Sequence, residues 1–185
     1  MARMSVLLAA PALVGAALAP ASAFAVNYLT VEQAGKLLFA EADRFEQRYW
    51  QLDAEQLQKL AASGVKPRSA RWTLRLAWRG KELLGVLVAD EVIGKFELIS
   101  YAVGVGADGV LKGVEILAYR ESHGSEIRLP AWRKQFVGKT AAAPIKLGDD
   151  IANISGATLS CGHVTEGVKR IVQVIELARR SAVLA

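Results

Sequence analysis

The chain has 185 residues, 52% of them apolar, which is enough to build one hydrophobic core and excludes a disordered chain. Its formal charge of +5 is mild and its basic residues are scattered, which excludes nucleic acid as a partner. Cys161 is the only cysteine, so an internal disulfide and a cysteine-based metal site are excluded too.

Residues 1–25 predict an export signal. Arg3 supplies the basic start, and Ser5 to Pro20 is apolar and rich in Ala and Leu. Ala21-Ser22-Ala23 and Ala23-Phe24-Ala25 each offer the small-x-small pattern of a cleavage site. The alternative is an uncleaved membrane anchor, which Pro11 and Pro20 weaken. No cysteine stands near the cleavage site, so a lipoprotein is excluded.

Residues 26–70 are expected to be a helical N-terminal segment, and 71–185 the main domain. Thr30 with Gln33, and Asp53 with Gln56, have the capping-box form. They predict helices running to about Phe39 and Ala62, the second stopped by Ser63-Gly64-Val65-Lys66-Pro67. From Arg71 the pattern turns to strands. Trp72, Leu74, Leu76 and Trp78 alternate onto one face, and Arg79-Gly80-Lys81 is a turn. Leu83 to Ala89 reads as a buried strand. Phe96 to Val105 follows after Gly94-Lys95, and Ala107-Asp108-Gly109 turns the chain into Val110 to Tyr119. That makes about four antiparallel strands.

Arg120 to Gly124 breaks the strand pattern. A short helix is expected from Trp132 to Phe136, and irregular chain from Gly138 to Asp150. Val164 to Ala178 is the clearest helix. Val164, Val168, Ile171, Ile175 and Ala178 form its apolar stripe, with Lys169, Arg170, Arg179 and Arg180 elsewhere. The fold class is α+β: a twisted antiparallel β-sheet with packed helices, in a single domain ending in a C-terminal amphipathic helix.

Asn153 to His163 is small, polar and glycine-containing, and it runs into that last helix. A helix start presents unpaired N–H groups and a positive dipole end, so it favours a phosphate. Gly156 and Ala157 let the backbone approach a ligand, while Thr158 and Ser160 place hydroxyls there. The ordinary alternative is a capped helix with Ser160 as N-cap.

Ser155-Gly156-Ala157-Thr158, followed by Leu159-Ser160, resembles the flavinylation motif of the FMN-binding domain family. That family includes the periplasmic flavin subunits of the sodium-pumping quinone reductase and of the Rnf complex. The resemblance extends over roughly Leu83 to Ala178. It takes in Tyr119 to Ile127, Trp132, and Gln135-Phe136-Val137-Gly138-Lys139. It implies FMN held covalently, through a phosphoester to Thr158 installed by an FAD-dependent flavin transferase. It also implies cofactor contacts from Ser155, Gly156, Ala157, Leu159, Ser160, Glu121, Ser122, His123 and Gly124. The family's motif carries Asp three residues before the serine, where this chain has Ala152, with Asp149 and Asp150 slightly upstream.

By this resemblance the protein is a periplasmic electron-transfer module or subunit rather than a free-standing enzyme. Its redox partner would be a membrane quinol oxidoreductase or a c-type cytochrome, at the membrane periphery. The alternatives are a flavin-donating subunit of a periplasmic reductase and a non-flavinylated sensor or interaction domain.

Other residues have two readings each. Glu121 and His123 either contact the flavin or are ordinary exposed loop residues. His163 faces the phosphate or is solvated. Cys161 is redox-active or a small packed residue. Trp72, Trp78 and Trp132 stack on a ring or fill the core. Lys169 and Arg170 lie too far along the helix to be expected at its own N-terminus.

Overall fold

The computed structural model describes residues 26–184, so the export signal expected in residues 1–25 lies outside the described residues. Six strands form one sheet in the order β1-β6-β5-β4-β3-β2. They are β1 (Val26–Asn27), β2 (Arg44–Gln51), β3 (Arg71–Arg79), β4 (Glu82–Ile93), β5 (Leu98–Gly106) and β6 (Leu111–Tyr119). Every neighbouring pair is antiparallel. The α+β, single-domain expectation holds, and β3 to β6 are the four strands read from the sequence.

Two strands were not legible. The stretch 26–70, expected to be helical, contains β2, which pairs with β3 from Arg44↔Trp78 to Gln51↔Arg71. β2 is an edge strand whose only buried residue is Trp50, so apolar and polar residues do not alternate along it. Its charged exposed positions also discourage pairing with another chain. β1 is only two residues long and sits beside the end of β6, with Val26 opposite Tyr119.

The two short helices form as their caps predict. In α1 (Val31–Leu38), Gln33 N–H donates to Thr30 Oγ1 at 3.2 Å and Thr30 N–H to Gln33 Oε1 at 2.8 Å. In α2 (Ala54–Ala62), Asp53 and Gln56 make the same reciprocal pair at 2.8 and 3.0 Å. A short helix, α3 (Pro130–Arg133), runs on through a 3₁₀ turn to Phe136.

The last helix, α4 (Thr158–Arg180), starts six residues before Val164. Its N-cap is Ala157, not Ser160. The Ser160 hydroxyl is turned inward, 4% exposed, and meets Tyr119, so it is not available to cap.

Strand alternation gives the sheet two apolar faces. Leu74, Leu76, Val86, Val88, Ile99, Val103 and Val114 belong to the main core with the α4 stripe of Val164, Val168, Ile171, Ile175 and Ala178. Each of those five α4 residues is fully buried. At about 1.5–3 kcal/mol for burying each larger side chain, this stripe fixes α4 on the sheet and thereby fixes where its first turn points. The opposite face carries a smaller core of Ala34, Phe39, Ala77, Leu87, Ala102 and Leu117 under α1.

Candidate functional site

Thr158 is the first residue of α4 and is exposed. Its Oγ1 accepts a hydrogen bond from Asn153 Nδ2 at 2.9 Å. The preceding turn is closed by Ala157 N–H donating to Ile154 O at 3.0 Å. Gly156 stands there with φ +81°, a left-handed conformation that favours glycine. No side chain caps this helix start. The result is a single exposed hydroxyl at the positive end of a 23-residue helix.

The segment ahead of Thr158 is clamped from outside. Trp132 Nε1 donates to Ala152 O at 2.8 Å, and Ala152 N–H donates to Gln135 Oε1 at 2.7 Å. Trp132 is buried and packs edge-to-face on Phe136, so it is a core residue that also grips the backbone. The Asp150 carboxylate pairs with Lys139 at 2.8 Å and accepts from Lys146 N–H at 2.7 Å and Ile145 N–H at 3.2 Å. Burial would raise its pKa, but Lys139 and the backbone donors outweigh burial and hold it below its ordinary value. Asp150 is therefore committed to its own loop and does not stand in for a carboxylate at position 152. Asp149 and Ala152 are exposed.

The loop after β6 reaches the same place through Gly124 and Tyr119. A Cβ on Gly124 would lie 2.5 Å from Ala157 Cβ and 2.7 Å from the Tyr119 hydroxyl, and φ there is +87°. Tyr119 donates to His123 O and receives Ser160 Oγ–H at 3.2 Å. Burial raises the Tyr119 pKa, so the phenol stays a donor.

Glu121 and His163 serve a different neighbour, the tip between β4 and β5. Glu121 Oε1 accepts N–H groups from Lys95, from Phe96 at 2.6 Å and from Glu97 at 2.9 Å. Burial opposes its ionisation, yet the three donors hold its carboxyl below the ordinary value. His163 Nδ1 donates to Ile93 O at 2.5 Å and Gly94 O at 3.2 Å, and since carbonyls only accept, that nitrogen carries the proton. Ser122 and His123 are exposed in the loop.

A cavity of ≈ 630 Å³ opens beside Thr158. Its lining includes Gly162, Thr165, Lys169 and Arg170 of α4, with Lys66, Lys146 and Leu147 opposite. Arg170, expected on the polar side, is 6% exposed and pairs with Asp90 at 3.3 Å. Its Nε and the Thr165 hydroxyl are buried without a hydrogen-bond partner. A larger cavity of ≈ 770 Å³ lies at the other end of α4, against α2, and includes none of residues 152–163. Cys161 is fully buried, and burial pushes its thiol pKa up, as fits a packed residue. Among the described residues, no group of acidic, histidine or cysteine side chains is placed to hold a metal.

Two parts of this site escaped the sequence reading. Asn153, which holds the Thr158 hydroxyl, was only one more polar residue of the segment. The α4 residues of the cavity recur at positions 158, 162, 165 and 169, and that spacing was the available signal.

Fold and site together define an α+β domain whose last helix has an uncapped start, the kind of helix end that favours an anion. Residues 94–173 match the model of the FMN-binding domain family. It is 30% identical over 82 residues to one of the subunits of the Na(+)-translocating ferredoxin:NAD(+) oxidoreductase complex of Acetobacterium woodii. That match covers 40% of this chain and 40% of the relative, so the chain spans well under half of that protein's length.

The crystal structure of Shewanella oneidensis NqrC has the same fold: TM-score 0.52, 17% identity, covering 78% of this chain and 86% of that one. One of the subunits of the Na(+)-translocating NADH-quinone reductase of Parabacteroides distasonis aligns with TM-score 0.48 and 17% identity, over 79% of this chain and 85% of that one. FMN suits the residues present. The cavity lies in the range of roughly 300–1,000 Å³ typical of small-molecule sites. Lys66, Lys146 and Lys169 give it a basic lining, beside a helix start that no side chain closes.

Proposed function

We propose that Thr158 carries FMN through a phosphoester and that the protein is an exported electron-transfer subunit. The observation that carries this reading is the Thr158 hydroxyl. It is exposed in the first turn of an uncapped helix, held by Asn153, and the clamped residue Ala152 fixes the approach to it. Esterification places phosphate oxygens at the N–H end of α4, where dipole and donors favour them. A tether also keeps the cofactor on a protein that works outside the cell. The flavin supplies one- and two-electron chemistry, and the chain holds and orients it. Thr158 is an anchor and not a catalytic group.

The A. woodii relative is named as part of a ferredoxin:NAD(+) oxidoreductase complex, which supports electron transfer as the role here. The partners that follow are a flavin transferase for maturation and a membrane quinol oxidoreductase or c-type cytochrome for electrons. The location is the periplasm, or the periplasmic face of the membrane if residues 1–25 remain attached.

A second reading has one observation behind it. Ala152 replaces the family's Asp, and Asp150 does not take its place, since it is spent on Lys139 and the loop. A transferase that needs that carboxylate would leave a non-flavinylated interaction domain. Co-expression with an active transferase separates the two: Ala152→Asp should speed flavinylation without being required for it. A chain that takes up flavin only as Ala152→Asp supports the second reading.

A further inference from the structure

The eight large apolar side chains exposed among the described residues are not spread evenly. Ile93, Phe96 and Leu98 stand together at the β4–β5 tip, 56%, 75% and 41% exposed. Leu159, 48% exposed, lies one helical turn before His163, whose ring meets the Ile93 and Gly94 carbonyls. The other four, Leu37, Tyr49, Leu129 and Val137, fall on other elements. We propose that this tip is a membrane contact: Ile93, Phe96 and Leu98 enter the interfacial layer of a lipid bilayer, with Leu159 at the border. The inference rests on the membrane-face location proposed above and not on the tether at Thr158.

The tip is displayed and yet fixed. Ile93 and Leu98 face each other across the hairpin, so their side chains share one side of it, and Phe96 stands in the turn between them. β3 pairs with β4 between Arg75 and Arg79, and β6 with β5 from Ile99 onward, so the turn at 94–97 stands beyond both neighbours. Gly94 N–H donates to Glu97 O at 2.8 Å, and Glu121 gathers the next three N–H groups. A Cβ on Gly94 would fall 2.6 Å from Glu121 Oε1, so glycine is needed for that grip. An exposed aromatic on a fixed backbone gives up little conformational freedom when another surface buries it.

Where the chain enters the domain points to the surface that covers the tip. Val26 pairs with Tyr119 on β6, and Tyr119 with Ile99 on β5. The three lie in one row across the sheet, so Val26 is about 10 Å from Ile99, at two strand spacings. Residues 1–25 precede Val26, and Ser5 to Pro20 among them is apolar. If they stay attached as an anchor, they hold this end of the sheet, and the tip with it, at the bilayer surface. The start of α4 belongs to the same end, since the Tyr119 hydroxyl meets Ser160 in its first turn. A bilayer at the tip therefore lies beside Thr158 as well.

The chemistry of the tip fits lipid better than protein. Lys95 Nζ stands 4.8 Å from the centre of the Phe96 ring, a cation beside an aromatic face. A ring at headgroup depth, with a lysine reaching back to the phosphates, is how such residues settle at a bilayer interface. Glu121, behind the turn, has its charge taken up by the three N–H groups, which leaves Glu97 as the exposed carboxylate of the turn. A stable protein interface takes about 800 Å² from each partner. A few side chains on one hairpin turn offer far less than that, but they are enough to enter a soft surface.

The test uses the full chain with a nitroxide label, bound to vesicles of phosphatidylcholine and phosphatidylglycerol. Cys161 is fully buried, so a cysteine placed on the surface takes the label alone. Leu98→Cys puts it on the tip. Lys81→Cys puts it on the exposed turn at the far end of β4, about 40 Å away along a 12-residue strand. Accessibility to oxygen, which concentrates in lipid, is compared with accessibility to a water-soluble nickel complex. The ratio should be severalfold higher at position 98 than at position 81. Adding Ile93→Ser and Phe96→Ser should return position 98 to the value at 81 without shifting Tm, since both side chains are exposed. Equal ratios at the two positions, no binding to vesicles, or a ratio at 98 that the two serines leave unchanged would each overturn the lipid contact. A label at 98 shielded in native membranes and not on protein-free vesicles would assign the tip to a protein partner, and overturn it too. The tether is read separately from the fluorescence of the denatured gel band, and the location from cell fractionation, so neither falls with this contact.

Discussion

The helix starts of this molecule are finished in two different ways. α1 and α2 begin closed, each with a capping box that satisfies its first-turn donors internally. The β4–β5 tip is closed too, its three successive N–H groups gathered on the Glu121 carboxylate. α4, the longest helix described, begins open, with Ala157 at its N-cap and no side chain across its first turn. An uncapped start forgoes about 1 kcal/mol relative to a Ser, Thr, Asp or Asn cap. Among the described helices longer than one turn, α1 and α2 are thus closed at the start, and α4 is open where it carries an exposed threonine.

Perturbing each kind of start should separate them. The largest effect is expected at the tip. Glu121→Gln removes the charge from three hydrogen bonds and should destabilise the fold by about 1.5–3 kcal/mol in a denaturant titration. The pH dependence has a definite sign. The folded pKa of Glu121 lies below its ordinary 4.5, so its contribution is full above that pH and is lost as pH falls through the folded value. Glu121→Gln should flatten that part of the acid limb. Loading α4 comes next. The flavinylated chain should be more stable than the unloaded one by about 1 kcal/mol from the phosphate at the helix start, measured as a shift in Tm.

Opening a closed start is of similar size: Asp53→Ala should cost about 1 kcal/mol in the same titration. The smallest effect is expected at Thr158 itself. In protein made without transferase, Thr158→Ala should change stability by no more than a few tenths of a kcal/mol, because Thr158 caps nothing. A loss of 1 kcal/mol there would mean the hydroxyl has a structural duty and that the comparison is false.

What the sequence made legible follows from how local each signal is. Thr30 with Gln33 and Asp53 with Gln56 are four-residue patterns, and both caps formed as read. The α4 stripe and the β3 to β6 strands rest on periodicities of 3.6 and 2, and both survive in the structure. β2 failed because an edge strand with one buried residue does not alternate. The start of α4 failed for a tertiary reason: Ser160 looks like a cap locally, but Tyr119, forty-one residues away, takes its hydroxyl. Glu121 and His163 were legible as residues near the site. Their partners were not, since the backbone of residues 93–97 reaches them only through sheet pairing. Arg170 looked solvent-facing until Asp90 and Tyr101, on two neighbouring strands, supplied a buried partnership.

The central claim is that the open start of α4 is an attachment point, and one measurement addresses it directly. Wild type and Thr158→Ala are co-expressed with a flavin transferase, denatured, separated on a gel and weighed intact. The account predicts a fluorescent wild-type band heavier than the bare chain by one esterified FMN, and a dark Thr158→Ala band at the bare mass. A dark wild-type band beside a control substrate that the same transferase labels, or flavin retained by Thr158→Ala, would contradict it.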